Sequence, residues 1–153
     1  MLNRSLFDHA AAVFDQQLVQ MLEYELPQQV ARQILARHPA RQLSLLDLGC
    51  GTGLLGAHLG RLKGRLVGAD LSPKMLEQAR RRAIYDDLEV ADLHDTLARS
   101  SAAAWDVIAA LDVCIYIGAI GEMLQGAWRA LAPGGELIFS CEQAAESGPD
   151  LYL

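Results

Sequence analysis

Apolar positions along the chain change their spacing near residue 43. Before it, Phe7, Ala10, Ala11, Phe14, Leu18, Met21 and Leu22 recur three and four positions apart, which predicts an amphipathic helix. Pro27, a favoured first-turn residue, opens a second helix that closes before Pro39. Beyond residue 43 short apolar runs take over: "LSLLDL", "RLVGAD", "LEVAD", "WDVIAAL" and "ELIFSC" predict five strands, the last over 136–141. Between them the spacing predicts helices at 53–62, 73–84, 93–99 and 119–131. Strands that alternate with helices predict a parallel sheet, since parallel neighbours need crossover connections, and near-continuous apolar runs predict cover on both faces. The expected architecture is α/β, a doubly wound, mainly parallel sheet in a single domain. An N-terminal helical cap takes residues 1–41, the α/β core 42–141 and a tail 142–153.

Two boundaries carry their own chemistry. Ser72 before Pro73 is an N-cap and first-turn pair, with Met75, Leu76, Ala79 and Ala83 expected to form the buried face behind it. "APGGE" at 132–136 is expected to stop the helix of Met123, Leu124, Ala127, Trp128 and Leu131 and to turn the chain into the last strand.

Composition narrows the partners. The 153 residues suit one domain, and with 52% hydrophobic and 21% charged residues no apolar stretch reaches a membrane span of about 20 residues. Asp8, His9 and Asp15 interrupt the N-terminal segment, which argues against a signal peptide and for the cytoplasm. Cys50, Cys114 and Cys141 lack CxxC spacing and are expected as buried free thiols, with no metal site. A net charge of −6 argues against a nucleic-acid partner, so Arg80–Arg82 is expected to complement a helix dipole in solvent.

The segment after the first predicted strand departs from this economy. "LLDLGCGTGLLGAHL" carries Gly49, Gly51, Gly53 and Gly56, residues that a simple strand-to-helix turn does not require in such number. Glycines there let the backbone turn sharply and approach a ligand at the carboxyl end of a parallel strand. Asp70, ending the second strand in "GADLSPKML", is placed to accept both hydroxyls of a ribose. "GTGLLG" also matches GxGxxG, which keeps an NAD(P)-dependent oxidoreductase open as an alternative. Asp47, just before the glycines, is poorly suited to a pyrophosphate and suits a ligand with positive charge.

In order and spacing, "LLDLGCGTG", "GADLSPKMLEQAR", "EVADL", "WDVIAALDV" and "RALAPGGELIFS" resemble the successive motifs of the class I S-adenosylmethionine-dependent methyltransferases, over about residues 44–141. The resemblance implies a Rossmann-like fold, S-adenosyl-L-methionine as cofactor, and methyl transfer to a small-molecule or protein acceptor. It implies backbone contacts from Gly49, Cys50 and Gly51 to the methionine moiety, with Asp47 holding the turn. Asp70 would take the ribose hydroxyls, Leu71 and Met75 would flank the adenine, and Asp92 would meet its amino group with Leu93 beside it. The carbonyls near Ala110 and Leu111 would meet the methionine amino group. "LFDHAAAVFD" with "LEYELP" is similar to the entrance helix of bacterial small-molecule methyltransferases, some fused to tetratricopeptide repeats. Phe7, Phe14 and Tyr24 would then lie over the pocket, the alternative being that they anchor a capping helix.

Displacement on a sulfonium needs alignment and exclusion of water more than an acid or base. The catalytic residue is left open; a hydroxyl acceptor would call on a base, with Asp112, Tyr116 and His9 as candidates. Members of that family usually continue with two further strands, whereas this sequence ends about twelve residues after "ELIFSC": either it is a fragment, or the apolar edge at 136–141 is expected to be covered by a partner such as a second copy, as a homodimer. The missing strands keep a third reading, a cofactor-binding module without turnover.

Overall fold

The structure is a computed structural model, and it describes residues 25–111, 113 and 117–140. Helix α1 covers 25–37. It is followed by β1 (Ser44–Leu48), α2 (Leu54–Leu59), β2 (Arg65–Asp70), α3 (Pro73–Arg81) and β3 (Asp87–Val90). Then come α4 (Leu93–Arg99), β4 (Trp105–Ala110), α5 (Ile117–Ala130) and β5 (Leu131–Phe139). The described strands form one sheet in the order β3-β2-β1-β4-β5, every pair parallel. The chain winds from β1 to one edge, crosses back, and winds to the other, so a crevice opens at the carboxyl ends where β1 and β4 part.

Alternation along the strands divides the core into two layers. Leu45, Val107 and Ala109 pack with Val30 and Ile34 of α1 and Leu55 and Leu59 of α2. Leu46, Leu48, Ile108 and Ala110 face the other way, onto Leu97 of α4 and Met123 and Ala127 of α5. Each fully buried Leu or Ile contributes roughly 1.5–3 kcal/mol. This two-sided burial holds the strand ends, and hence the glycine turn, in fixed register.

Several boundaries differ from the sequence reading. Helix α2 stops at Leu59 because Gly60 adopts φ +71° and returns its N–H to the Gly56 carbonyl at 2.9 Å. Helix α3 stops at Arg81, ahead of Ala83 at φ +56°; Met75 and Ala83 are exposed, so Leu76 and Ala79 alone form the buried face expected of all four. Ser72 caps α3 as expected, its hydroxyl accepting from the Met75 N–H at 3.3 Å. Strand β5 begins at Leu131, opposite Trp105, and a register shift then brings Glu136 opposite Val107. "APGGE" therefore lies within the strand as an irregularity, with Gly134 at φ +79°. Cys50 is a buried free thiol. The amphipathic segment from Phe7 to Leu22, Cys114, Cys141 and the tail lie outside the described residues.

Candidate functional site

From the end of β1 the backbone passes through Gly49 (φ +64°), Gly51 (φ +57°) and Gly53 (φ +86°), a left-handed sequence that side chains resist. A Cβ on Gly49 would sit 2.8 Å from Val113 Cγ2, whereas one on Gly51 would meet nothing within 4 Å. Gly51 thus presents bare backbone to open space. Two bonds from β2 pin the turn: the Cys50 N–H donates to the Ala69 carbonyl, and the Gly51 N–H to Asp70 Oδ2, both at 2.9 Å. Asp70 Oδ1 accepts from the Ser72 N–H at 2.9 Å, so one carboxylate joins the glycine turn to the start of α3.

A crevice of about 300 Å³ opens beside this turn, lined by Pro27, Asp47, Gly49, Cys50, Gly51, Thr52, Leu54, Leu55, Met75 and Leu111. Six of the residues selected from sequence, Asp47, Gly49, Cys50, Gly51, Met75 and Leu111, are brought together there. Asp70 adjoins them through Gly51. Leu71, 69% exposed, follows β2 on the surface outside the lining. Asp92 and Leu93 stand at the head of α4, where Asp92 is the N-cap and its Oδ1 accepts from the Asp95 N–H at 2.7 Å. Phe7, His9, Phe14, Tyr24, Asp112 and Tyr116 lie outside the described residues.

Asp47 is 3% exposed and lies on the α2 side of β1, between Leu46 and Leu48, which face α4 and α5. An ionised carboxylate so placed is costly unless hydrogen-bonded. Its partner is Tyr85, a residue the sequence reading missed: the Tyr85 hydroxyl donates to Asp47 Oδ2 at 2.6 Å and accepts from the Gly56 N–H at 3.1 Å. Burial pushes the Asp47 carboxyl up to about 7, with the Tyr85 bond opposing and the Asp70 charge adding to the shift. Burial raises the Cys50 thiol and the Tyr85 hydroxyl as well, with the Asp47 charge reinforcing both, so each stays protonated at neutral pH. Asp47 holds the turn through Tyr85 and Gly56.

Tyr85 also accounts for glycines assigned above to ligand approach. A Cβ on Gly56 would lie 2.4 Å from its ring, and one on Gly53 would lie 3.0 Å away. Those two glycines admit a side chain, while Gly49 and Gly51 shape the crevice. The only sequence signal for Tyr85 was a large aromatic with a polar tip in the short segment before β3, paired with an acidic residue that had no stated partner.

The basic run at the end of α3 does more than complement a dipole. Arg82 Nε donates to the Thr52 carbonyl at 2.7 Å, buttressing the glycine turn from outside, while Arg81 pairs with Glu77 at 2.9 Å.

A glycine turn at the carboxyl end of the central strand, an acid ending the next strand, and a crevice at the switch point define a nucleoside-cofactor-binding α/β domain. Comparison with known proteins narrows the class. The family described as "Methyltransferase domain" matches residues 46–137, more than half of the chain. The chain belongs to this family, among the class I S-adenosylmethionine-dependent methyltransferases. The ubiquinone biosynthesis O-methyltransferase of Cereibacter sphaeroides is 34% identical over 126 residues, covering 78% of this chain and 50% of that protein. An arsenic(III) S-adenosylmethionine methyltransferase from Chlamydomonas reinhardtii superposes with a TM-score of 0.54 at 25% identity, over 65% of this chain and 39% of that one. The magnesium protoporphyrin IX methyltransferase of Synechocystis, solved with bound S-adenosylmethionine, shares the fold, with a TM-score of 0.63 at 21% identity over 76% of this chain and 58% of that one. The chain spans about half the length of the curated relatives it matches.

The residues present fit the family's cofactor. An acidic wall at Asp47 suits an ammonium and a sulfonium, and Met75, Leu54, Leu55 and Leu111 offer apolar surface. The Gly51 backbone leaves room for close approach.

Proposed function

We propose that this chain binds S-adenosyl-L-methionine in the crevice beside the glycine turn and serves methyl transfer to an acceptor. The observation that carries the reading is the joining of Asp47, the bare Gly51 backbone and Asp70 at the carboxyl ends of the neighbouring strands β1 and β2. Gly49, Cys50 and Gly51 hold the methionine end through backbone groups, and Asp47 faces its positive charge. Asp70 takes the ribose hydroxyls, and Leu71 and Met75 flank the adenine. Asp92 and Leu93 bound the adenine side, and Leu111 closes the crevice at the end of β4.

When bound, the cofactor supplies an electrophilic methyl on a sulfonium. The protein's contribution is to align it, to keep water out with the apolar lining, and to favour positive charge at Asp47. The Asp47 carboxyl, whose hydrogen-bond partner Tyr85 carries no positive charge, disfavours a dinucleotide pyrophosphate, which argues against the oxidoreductase reading. The O-methyltransferase names of the relatives support a small-molecule hydroxyl over a protein as acceptor.

The partner reading that accompanies this function is a homodimer formed along β5, which pairs on one side with β4 and on the other with no strand among the described residues. No helix of the described residues is long and apolar enough to cross a membrane, and the cytoplasm is the compartment that fits a supply of the cofactor. Incubation with methyl-labelled S-adenosylmethionine and the small-molecule fraction of a bacterial extract tests turnover. Labelled product is expected; tight cofactor binding without transfer to any small-molecule or protein fraction would leave a binding module instead.

A further inference from the structure

The geometry points to Tyr85 as the positioning residue of the glycine turn, its hydroxyl bridging Asp47 and the Gly56 amide while its ring fills space that three glycines leave open. Tyr85 does not line the crevice; it stands behind Asp47, which does. The hydroxyl donates to Asp47 Oδ2 at 2.6 Å and accepts from Gly56 N–H at 3.1 Å, linking the end of β1 to the first turn of α2. A Cβ would come within 2.4 Å of the ring at Gly56, and within 3.0 Å at both Gly53 and Gly68. These glycines come from two segments, the turn into α2 and the middle of β2; the ring is the nearest neighbour at Gly56 and Gly53, and at Gly68 it shares the space with Leu88 Cδ2 and Cys50 Sγ at 2.8 and 2.9 Å.

The hydroxyl has a separate task from the ring. If filling space were all that the position required, phenylalanine would do it without burying an oxygen; the bridge satisfies that oxygen as both donor and acceptor. It also fixes the carboxylate of Asp47, around which the remaining ionisable neighbours are Asp70 on β2 and Cys50 in the turn itself. Leu54 and Leu55 of α2 and Pro27 of α1, which share the crevice with Asp47, bring no charge. Tyr85 therefore sets both the orientation of Asp47 and its readiness to ionise, without touching what the crevice holds. What the turn holds rests on the methyltransferase reading; the bridge does not.

The test uses the whole chain with Tyr85→Phe, which keeps the ring, and Gly56→Ala, which displaces it. Three quantities are measured: the titration of the Asp47 carboxyl by carbon NMR, amide exchange of Gly56, and affinity for S-adenosylhomocysteine across a range of pH. In Tyr85→Phe the Asp47 midpoint is expected to move up by about one pH unit, because the bond that favours the carboxylate is gone. Gly56 exchange should quicken by roughly tenfold and affinity near pH 7 should fall by about fivefold, its pH profile displaced upward. Gly56→Ala should reproduce the affinity loss, and adding Tyr85→Ala to it should cost less than the two single losses combined, since the clash partner is gone. An unmoved Asp47 midpoint or an unchanged affinity in Tyr85→Phe overturns the proposal. Should Tyr85→Phe fail to fold, strictly additive losses for Gly56→Ala and Tyr85→Ala overturn it in the same way. If Asp47 and Gly56 respond while the unaltered protein binds no S-adenosylhomocysteine, the positioning role stands and the methyltransferase reading falls.

Discussion

Replacing Asp70 by alanine separates its two tasks in a way that can be worked from the structure. Its carboxylate accepts the Gly51 and Ser72 amides, each at 2.9 Å, and so ties the glycine turn to the cap of α3. A hydrogen bond to a charged group contributes roughly 1.5–3 kcal/mol when well shielded. Asp70 is only partly buried, and water replaces some of each bond, so about 1 kcal/mol apiece is the working figure. Asp70→Ala should then lose about 2 kcal/mol of stability, a fall in Tm of roughly 4–8 °C for a domain of this size. The ribose contacts add a second loss that appears only in binding: affinity for S-adenosylhomocysteine should drop by about tenfold or more, at least one charged bond. Asp70→Asn keeps one acceptor oxygen and should recover part of the stability but little of the affinity. Thermal unfolding and calorimetric titration of the same samples provide both numbers. Variants that lose stability as expected yet bind with unchanged affinity would refute the ribose assignment.

The Asp47 carboxyl, raised from 3.8 to about 7, stabilises the fold fully below its unfolded value, and that contribution is lost as pH rises through about 7. Urea unfolding of the native protein should therefore weaken relative to Asp47→Asn by about 1.4 kcal/mol per pH unit between roughly pH 4 and 7, and parallel curves would contradict the shift. Gly51→Ala meets no atom within 4 Å but needs φ +57°, so it should cost about 1–2 kcal/mol of stability by unfolding. The same methyl enters the crevice and should weaken S-adenosylhomocysteine binding by about tenfold. Met123→Ala removes a fully buried side chain of the α5 layer and should cost about 2–5 kcal/mol in chemical unfolding, with cofactor affinity nearly unchanged.

Apolar runs made the sheet legible because strands covered on both faces need near-continuous hydrophobic residues; "RLVGAD" was placed to the residue. The ends of elements were less legible where a single backbone angle decided them. Ala83 takes a positive φ without being glycine, and nothing in its type announces that. Pro133, Gly134 and Gly135 signal a turn and so predict β5 only from Glu136, whereas pairing of Leu131 with Trp105 carries the strand through them. At the site, the glycine cluster and both acids could be read, but not how the glycines divide their work. That division depends on Tyr85, 38 residues from Asp47 in sequence, and a contact at such separation leaves no local periodicity. Asp92 carries a second task that its selection as a ligand residue did not include, capping α4 through Oδ1.

Binding of the cofactor pair decides the account most directly. Thermal unfolding is followed with S-adenosylhomocysteine and, separately, with NAD, each at a series of concentrations. At 100 times its dissociation constant a ligand specific for the native state stabilises it by about 2.7 kcal/mol. The crevice beside Asp47 and Gly51 predicts saturable stabilisation by S-adenosylhomocysteine and none by NAD, with the former weakened in Asp70→Ala. Stabilisation by NAD with no response to S-adenosylhomocysteine would contradict it.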